Sequence, residues 1–224
     1  MPSSYTPLGV ELMVTGEQAG LWGDKTNTNL NILSQIVGGY NSQAVNGTGD
    51  TPLNVSDGAT GATVANRIIE LTGTITGNIT VSIPLDVENF YIIKNSTSGA
   101  FTVEFQYTSG SGTSVTFSAT DKGTKFVYAK ADDGTNPNIV DVFSEFSQIN
   151  LVNQNELRFQ DATGGQYVGL RAATTVGSSF TLNLPTADAT SSGQALVSDS
   201  SGNLSFADAG ISTGKAIAMA IVFG

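Results

Sequence analysis

Carboxylates are the main candidates for chemistry in this chain, because the sequence contains no histidine and no cysteine. These two absences exclude a Ser-His-Asp triad, a catalytic cysteine, a disulfide and a zinc site of the Cys/His type. Two carboxylates facing one cleft would suit the hydrolysis of a glycosidic bond. The candidates are far apart in the sequence: Glu70, Glu88, Glu104 and Glu156. We therefore expect a protein without enzymatic activity and without a cofactor.

A calcium loop is the other chemistry that the acidic residues suggest. Asp132 and Asp133 are followed by Asn136 and Asn138. The segment lacks the regular ligand spacing and the distal bidentate glutamate of a calcium loop. The pair Asp133-Gly134 is a common signal for a hairpin turn. The sequence therefore predicts a turn here and no metal site.

The charge distribution argues against several classes of partner. The net charge is −10, from 19 acidic and nine basic residues, and no two basic residues are adjacent. Binding to nucleic acid or to an anionic membrane surface needs clustered cations. The longest apolar run, residues 216–223, is too short to span a bilayer, and residues 1–10 lack the pattern of a signal peptide. We expect a soluble protein with no nucleic-acid partner and no membrane insertion.

The composition predicts a mainly-β protein. Charged residues make up 12% of the chain, and there are 26 glycines. About 25% is the usual charged fraction of a globular protein. Serine, threonine, asparagine and glycine take the place of the missing charges, and they suit exposed strand faces and tight turns.

The N-terminal region, residues 1–46, is the part of the chain that predicts a helix. Asp24 is the candidate N-cap, and Gly38-Gly39 ends the pattern. Four apolar residues have helical spacing: Leu30, Leu33, Ile36 and Val37. Residues 47–66 are rich in glycine, threonine and aspartate, which predicts a linker.

The central region, residues 67–146, predicts an antiparallel β-sandwich. Seven short β-branched or aromatic segments are separated by turn residues: 67–71, 79–83, 90–94, 101–107, 114–118, 125–130 and 139–143. Alternation is clearest in the fourth segment, where Phe101, Val103, Phe105 and Tyr107 share one face.

The C-terminal region, residues 147–224, predicts glycine-rich β structure intertwined with other copies. Its strands are marked by 157–159, 167–169, 180–184 and 204–206, and large apolar residues are sparse, so a monomer would bury little surface. Residues 216–223 predict a last strand that is apolar on both faces and forms an oligomer seam, most simply of a trimer. The large side chains of that strand are Ile217, Met219, Ile221 and Phe223.

Several motifs resemble one family in their order along the chain. The run EQAGLWGDKTNTNL at residues 17–30 comes first, followed by segments 69–99 and 133–136. Residues 157–172, 182–185, 193–206 and 214–219 complete the series. Together they resemble the tail-fibre-like structural proteins of marine bacteriophages, of the cyanophage and pelagiphage kind.

The resemblance implies a virion protein whose N-terminal region docks on the particle, whose body is trimeric and whose distal part can meet a host glycan or protein. The expected docking residues are Trp22, Gly23, Asn27, Asn29, Leu30 and Leu33. Trp22 is either an anchor in a partner or a local core residue beside the helix. The chain is shorter than long fibres, so two alternatives stay open. One is a purely architectural part, such as a capsid decoration, head fibre or tail adaptor, and the other is a glycan-binding or glycan-cleaving module.

Overall fold

The computed structural model describes residues 3–161, 164–208, 217 and 219–222. The chain divides into two compact units, Met1–Gln148 and Ile149–Gly224. The second unit begins two residues after the predicted start of the C-terminal region. The predicted class, mainly β with a helix near the N-terminus, is confirmed.

The first unit opens with two short strands and a helix. Strands β1 (Ser4–Tyr5) and β2 (Glu11–Leu12) pair in antiparallel fashion, and α1 spans Trp22–Gly38. The helix begins two residues before the predicted N-cap, so Asp24 lies in its first turn, where a carboxylate interacts favourably with the helix dipole. It ends at Gly38, and the N–H of the following Gly39 donates to the Gln35 carbonyl oxygen at 2.7 Å.

The body of this unit consists of three parallel coils of two strands each, joined by two residues in the first two coils and by residues 96–102 in the third. The strand pairs are β3 (Tyr40–Ala44) with β4 (Gly47–Pro52), β5 (Ile68–Thr72) with β6 (Ile75–Ile83), and β7 (Asn89–Asn95) with β8 (Val103–Tyr107). The strands β3, β5 and β7 lie side by side and parallel, and β4, β6 and β8 do the same. Tyr40 pairs with Ile68 and Ile68 with Ile92, so one coil takes 24 to 28 residues.

Three further strands extend the coils in antiparallel fashion. β9 (Val115–Phe117) pairs with β8, β10 (Thr124–Ala129) with β7, and β11 (Ile139–Asp141) with β10. The result is a first sheet in the order β11-β10-β7-β5-β3 and a second sheet in the order β4-β6-β8-β9.

The predicted antiparallel sandwich needs correction at the coils. All seven predicted segments contain strands, but antiparallel pairing within the sheets is confined to β9, β10 and β11. The connection inside each coil takes the chain from the first sheet to the second, and the connection between coils returns it to the first sheet. Neighbouring strands therefore run in the same direction.

The core lies between the two sheets. The predicted inward face of β8 is confirmed, because Val103, Phe105 and Tyr107 are buried and Phe101 packs against the core. The Tyr91 ring of the first sheet meets the Phe105 ring of the second edge-on, with centroids 5.5 Å apart. Buried apolar surface of this kind is the main source of stability for the unit.

The predicted linker at residues 47–66 is wrong. This segment contains β4 and a short 3-10 turn, Thr63–Ala65, and its Leu53 and Val64 are buried in the core. The sequence of β4 is polar and does not indicate a strand. It nevertheless pairs with β6, because backbone hydrogen bonds need no apolar side chain. Residues 1–46 are not a separable segment either, because they include β3, which pairs with β5.

The described part of the second unit contains two antiparallel hairpins. β12 (Leu157–Gln160) pairs with β13 (Tyr167–Leu170), and β14 (Gln194–Ser198) pairs with β15 (Leu204–Asp208). The strand predicted at 180–184 is reduced to a single bridge between Asn183 and Asn203.

The last predicted strand, residues 216–223, is also wrong. Ile217 and residues 219–222 are helical, and Phe223 lies outside the described residues. A short run of apolar residues fits a helix as well as a strand, since neither period can be recognised when every position is apolar. The two-faced β seam proposed from Ile217, Met219, Ile221 and Phe223 therefore has no basis in the structure.

Candidate interaction surfaces

One side of α1 is fixed to the N-terminal strands. The Glu11 N–H donates to Asn29 Oδ1, and Asn29 Nδ2 donates to the Glu11 carbonyl oxygen, both at 2.9 Å. The Lys25 Nζ lies 3.1 Å from Glu11 Oε2, and this hydrogen bond raises the pKa of Lys25. Asn29, predicted to dock on a partner, is thus occupied in holding β2 against the helix.

The adjacent side of α1 is exposed and apolar. Trp22, Leu30, Leu33 and Val37 form what we call the helix stripe, since at 3.6 residues per turn they lie within about a quarter turn of one another. Trp22 is 60% exposed and Val37 is 74% exposed, whereas Ile32 on the inner side is 1% exposed. The interpretation of Trp22 as a local core residue is therefore wrong.

The other predicted docking residues are divided between the helix stripe and other parts of the helix surface. Leu30 and Leu33 belong to the helix stripe and are exposed. Gly23 is exposed beside Trp22, and Asn27 is exposed on a different side of the helix. Ile36, expected to share a face with Leu33, instead packs against the core.

A row of phenylalanines crosses the outer face of the first sheet. The ring centroids of Phe90 and Phe126 are 6.1 Å apart, those of Phe126 and Phe143 are 4.8 Å apart, and Phe143 and Phe146 stack at 5.8 Å. The Arg67 guanidinium lies over the Phe90 ring at 5.8 Å. Phe143 is 50% exposed and Phe146 is 57% exposed, so this end of the row is open to contact. These rings are not predicted as surface residues from the sequence, and their recurrence at outward positions of neighbouring strands is the one signal that indicates them.

The second unit differs from the first because none of its described residues is buried. It nevertheless exposes large apolar side chains along most of its length: Ile149, Leu151, Val152, Leu157, Phe159, Tyr167, Val168, Leu170, Val176, Phe180, Leu182, Leu184, Leu196, Val197 and Phe206. Where such side chains share one face, the apolar patch that they form marks an interaction site in a soluble protein.

The β12–β13 hairpin separates apolar from polar side chains. Its register pairs Leu157 with Leu170 and Phe159 with Val168, so these four residues share one face, which we call the hairpin face. Arg158, Gln160 and Tyr167 occupy the opposite face, with Gln160 paired to Tyr167.

The polar face of this hairpin satisfies its own charges. Arg158 Nε donates to Glu156 Oε1 at 2.7 Å, and this hydrogen bond lowers the pKa of Glu156. The Arg158 guanidinium also lies over the Tyr167 ring, 4.2 Å from its centroid. A face that neutralises its own charge can stay in contact with water.

The β14–β15 hairpin is less polarised. Leu196, Leu204 and Phe206 share one face, and Ala195 and Val197 belong to the other. Both faces carry apolar side chains, but the first carries the larger ones.

The four candidate carboxylates are held by different neighbours. Glu70 accepts hydrogen bonds from Ser96, Tyr40 and Lys94, which together lower its pKa to about 2. The remaining three each have one principal partner: Tyr128 for Glu88, Ser114 for Glu104 and Arg158 for Glu156. Within the described residues, no hydrogen bond joins any two of the four.

The predicted turn at Asp133-Gly134 is confirmed. Asp133 Oδ1 accepts the N–H groups of Thr135 and Asn136 at 2.8 and 3.0 Å, inside the connection between the antiparallel strands β10 and β11. In the part of the chain that the structure describes, no cluster of three or more acidic side chains is placed to hold a metal ion. Nor does any described helix have the length and apolar character needed to cross a membrane.

Comparison with known proteins identifies no relative. No family model, no curated protein and no solved structure matches this chain. Its function is therefore inferred from the surfaces described above, together with the sequence motifs.

Proposed function

We propose that this protein is a structural subunit of a bacteriophage virion, a short tail fibre or related external appendage that assembles with copies of itself. The observation that carries the proposal is the second unit, which has no buried residue within its described part yet exposes apolar side chains along most of its length. In a monomer this surface would stay in water, where it favours aggregation. An assembly that covers it removes that cost.

The virion is the assembly that the sequence favours. The run at residues 17–30 and the later motifs resemble tail-fibre-like phage proteins in their order along the chain. A surface built from short neutral polar residues, with charged residues at 12%, suits a rigid external protein that meets few charged partners.

The first unit supplies the attachment surface in this proposal. It has its own core, so it can present the helix stripe in a fixed position before any partner binds. Exposed tryptophan and leucine side chains on a rigid helix are typical anchors of protein interfaces. We assign the helix stripe to contact with a neighbouring virion protein, with Trp22, at the N-terminal end of the stripe, as its aromatic anchor.

The test is the location of the protein in purified particles. Mass spectrometry of gradient-purified phage is expected to detect the chain at a constant ratio to the major capsid protein, and labelled antibody is expected to mark an external appendage in electron micrographs. A chain found in lysates but lost from purified particles would refute the proposal. Label on the capsid surface would instead favour the architectural alternative.

A further inference from the structure

We propose that the hairpin face, Leu157, Phe159, Val168 and Leu170, is the seam along which copies of this chain associate. The proposal rests on the proposed function, because it names the partner and the residues of that assembly. The seam predicted from the sequence lies at residues 216–223, whereas the seam proposed here lies on β12–β13.

The geometry of the hairpin leaves its apolar side without cover. The four side chains lie on one face and are 47% to 69% exposed. A single two-stranded hairpin is marginally stable in water and needs a surface against its apolar face. Within the described residues, the chain itself supplies no such surface, since no residue of the second unit is buried in the single chain.

A second copy is the partner that fits this deficit. Exposed apolar side chains extend from Ile149 to Phe206, so a partner must run along nearly the whole unit. A partner with one compact binding site would cover only a part of it. Another copy has the same length and the same uncovered face, so identical faces that meet around a shared symmetry axis cover one another.

The charge of the chain allows this association. The second unit carries five acidic and three basic residues, whereas the first carries 14 acidic and six basic residues. Its net charge of −2, against −8 for the first unit, keeps repulsion between copies low. The hairpin adds little to that repulsion, because Glu156 and Arg158 neutralise each other on the polar face.

The experiment measures the mass of the full-length chain in solution at micromolar concentration by light scattering after size exclusion. The wild-type protein is expected at a multiple of 23.1 kDa, about three-fold if the assembly is a trimer. The variant Phe159→Ser with Val168→Ser changes one cross-strand pair of the hairpin face and is expected to run at the mass of a single chain.

The matched control changes the neighbouring cross-strand pair on the polar face, Gln160→Ser with Tyr167→Ser. It removes an aromatic ring from the same hairpin and is expected to keep the wild-type mass. Trp22 fluorescence during thermal unfolding reports the first unit, which is expected to unfold at the wild-type temperature in both variants. This readout separates loss of assembly from general misfolding.

The remaining outcomes overturn the proposal in distinguishable ways. If the wild type is assembled and both variants keep its mass, the seam lies elsewhere and the proposed function stands. If both variants dissociate, the effect does not depend on the apolar face, and the seam is again wrong. A wild-type chain that is monomeric would refute both the seam and the self-assembly in the proposed function.

Discussion

Glu70 shows how single polar side chains tie neighbouring coils together. It lies on β5, and its carboxylate accepts hydrogen bonds from Ser96 after β7, Tyr40 on β3 and Lys94 on β7. These bonds lower its pKa from 4.5 to about 2. A carboxyl whose pKa is lower in the folded state stabilises the fold above its unfolded pKa, and that contribution is lost as the pH falls from 4.5 towards 2.

We therefore predict a pH-dependent effect of Glu70→Gln. At pH 7 the variant should melt about 1–3 °C below the wild type, as expected for a partly exposed ion pair. The difference should shrink as the pH falls from 4.5 towards 2. Circular dichroism melts across this pH range test it, with Ser96→Ala as a variant that removes one of the three bonds and has a smaller effect. An equal difference at pH 7 and pH 2.5 would contradict the assignment.

Gly112 shows a different constraint, the close approach of two loops. A Cβ atom at Gly112 would overlap the carbonyl oxygen of Pro137, and one at Gly110 would meet that of Thr135. The loop between β8 and β9 therefore packs backbone to backbone against the loop between β10 and β11. A side chain can be accommodated there only if one loop moves.

Gly112→Ala is accordingly predicted to lower the free energy of unfolding by about 1–3 kcal/mol. Gly134→Ala is the control, because a Cβ at Gly134 meets no atom within 4 Å and should leave stability nearly unchanged. Urea titrations followed by Trp22 fluorescence measure both values. Equal stability of the two variants would show that the loops are free to separate.

At the scale of elements, α1 divides its apolar residues between the core and the exposed surface. A 17-residue helix is close to the limit of stability in isolation, so it needs the contacts that Ile32 and Ile36 make with the rest of the unit. The helix stripe takes no part in those contacts. Sequence spacing alone placed Leu33 and Ile36 on one face, because it cannot show which part of an apolar helix the core covers.

The division predicts that stability and attachment respond to different substitutions. Trp22→Ala with Leu33→Ser should leave the melting temperature within about 2 °C of the wild type, since exposed side chains contribute little. The same variant should fail to enter particles in a complementation assay. Asn31→Ala, exposed on another side of α1, should enter normally. Normal incorporation of the double variant would place attachment elsewhere on the protein.

The coil strands β3 and β4 cannot be recognised from their own side chains. Neither strand contains a buried residue: the buried Val45 lies in the turn that joins them, and the buried Leu53 follows β4. Their stability depends on hydrogen bonds to β5 and β6, residues 28 to 30 positions away. The available signal was the recurrence of asparagine-, threonine- and glycine-rich turns near residues 46, 73 and 98, once per coil.

At the scale of the whole molecule, the two units should unfold differently. The first unit has its own core, and the described part of the second has none. Assembly stabilises a unit by mass action, so the melting temperature of the second unit should rise with protein concentration and that of the first should not. Calorimetry at about 1 µM and about 100 µM separates the two transitions. One transition independent of concentration would contradict this account.

The sequence by itself determined the chemistry that is missing and the kind of fold. The absence of histidine and cysteine, the seven strand segments, the inward face of β8 and the shortage of core residues after residue 147 all follow from local composition and alternation. These properties depend on single side chains and their nearest neighbours in the chain, which a sequence displays directly.

Only the tertiary structure decided the direction of the strands, the inclusion of residues 47–66 in the sheets, the exposure of the helix stripe and the helical state of Ile217 and residues 219–222. Alternating side chains show that one face of a strand is buried, but they do not show which strand lies beside it. That choice is made by backbone hydrogen bonds between residues a full coil apart, and every residue except proline offers the same donor and acceptor to them.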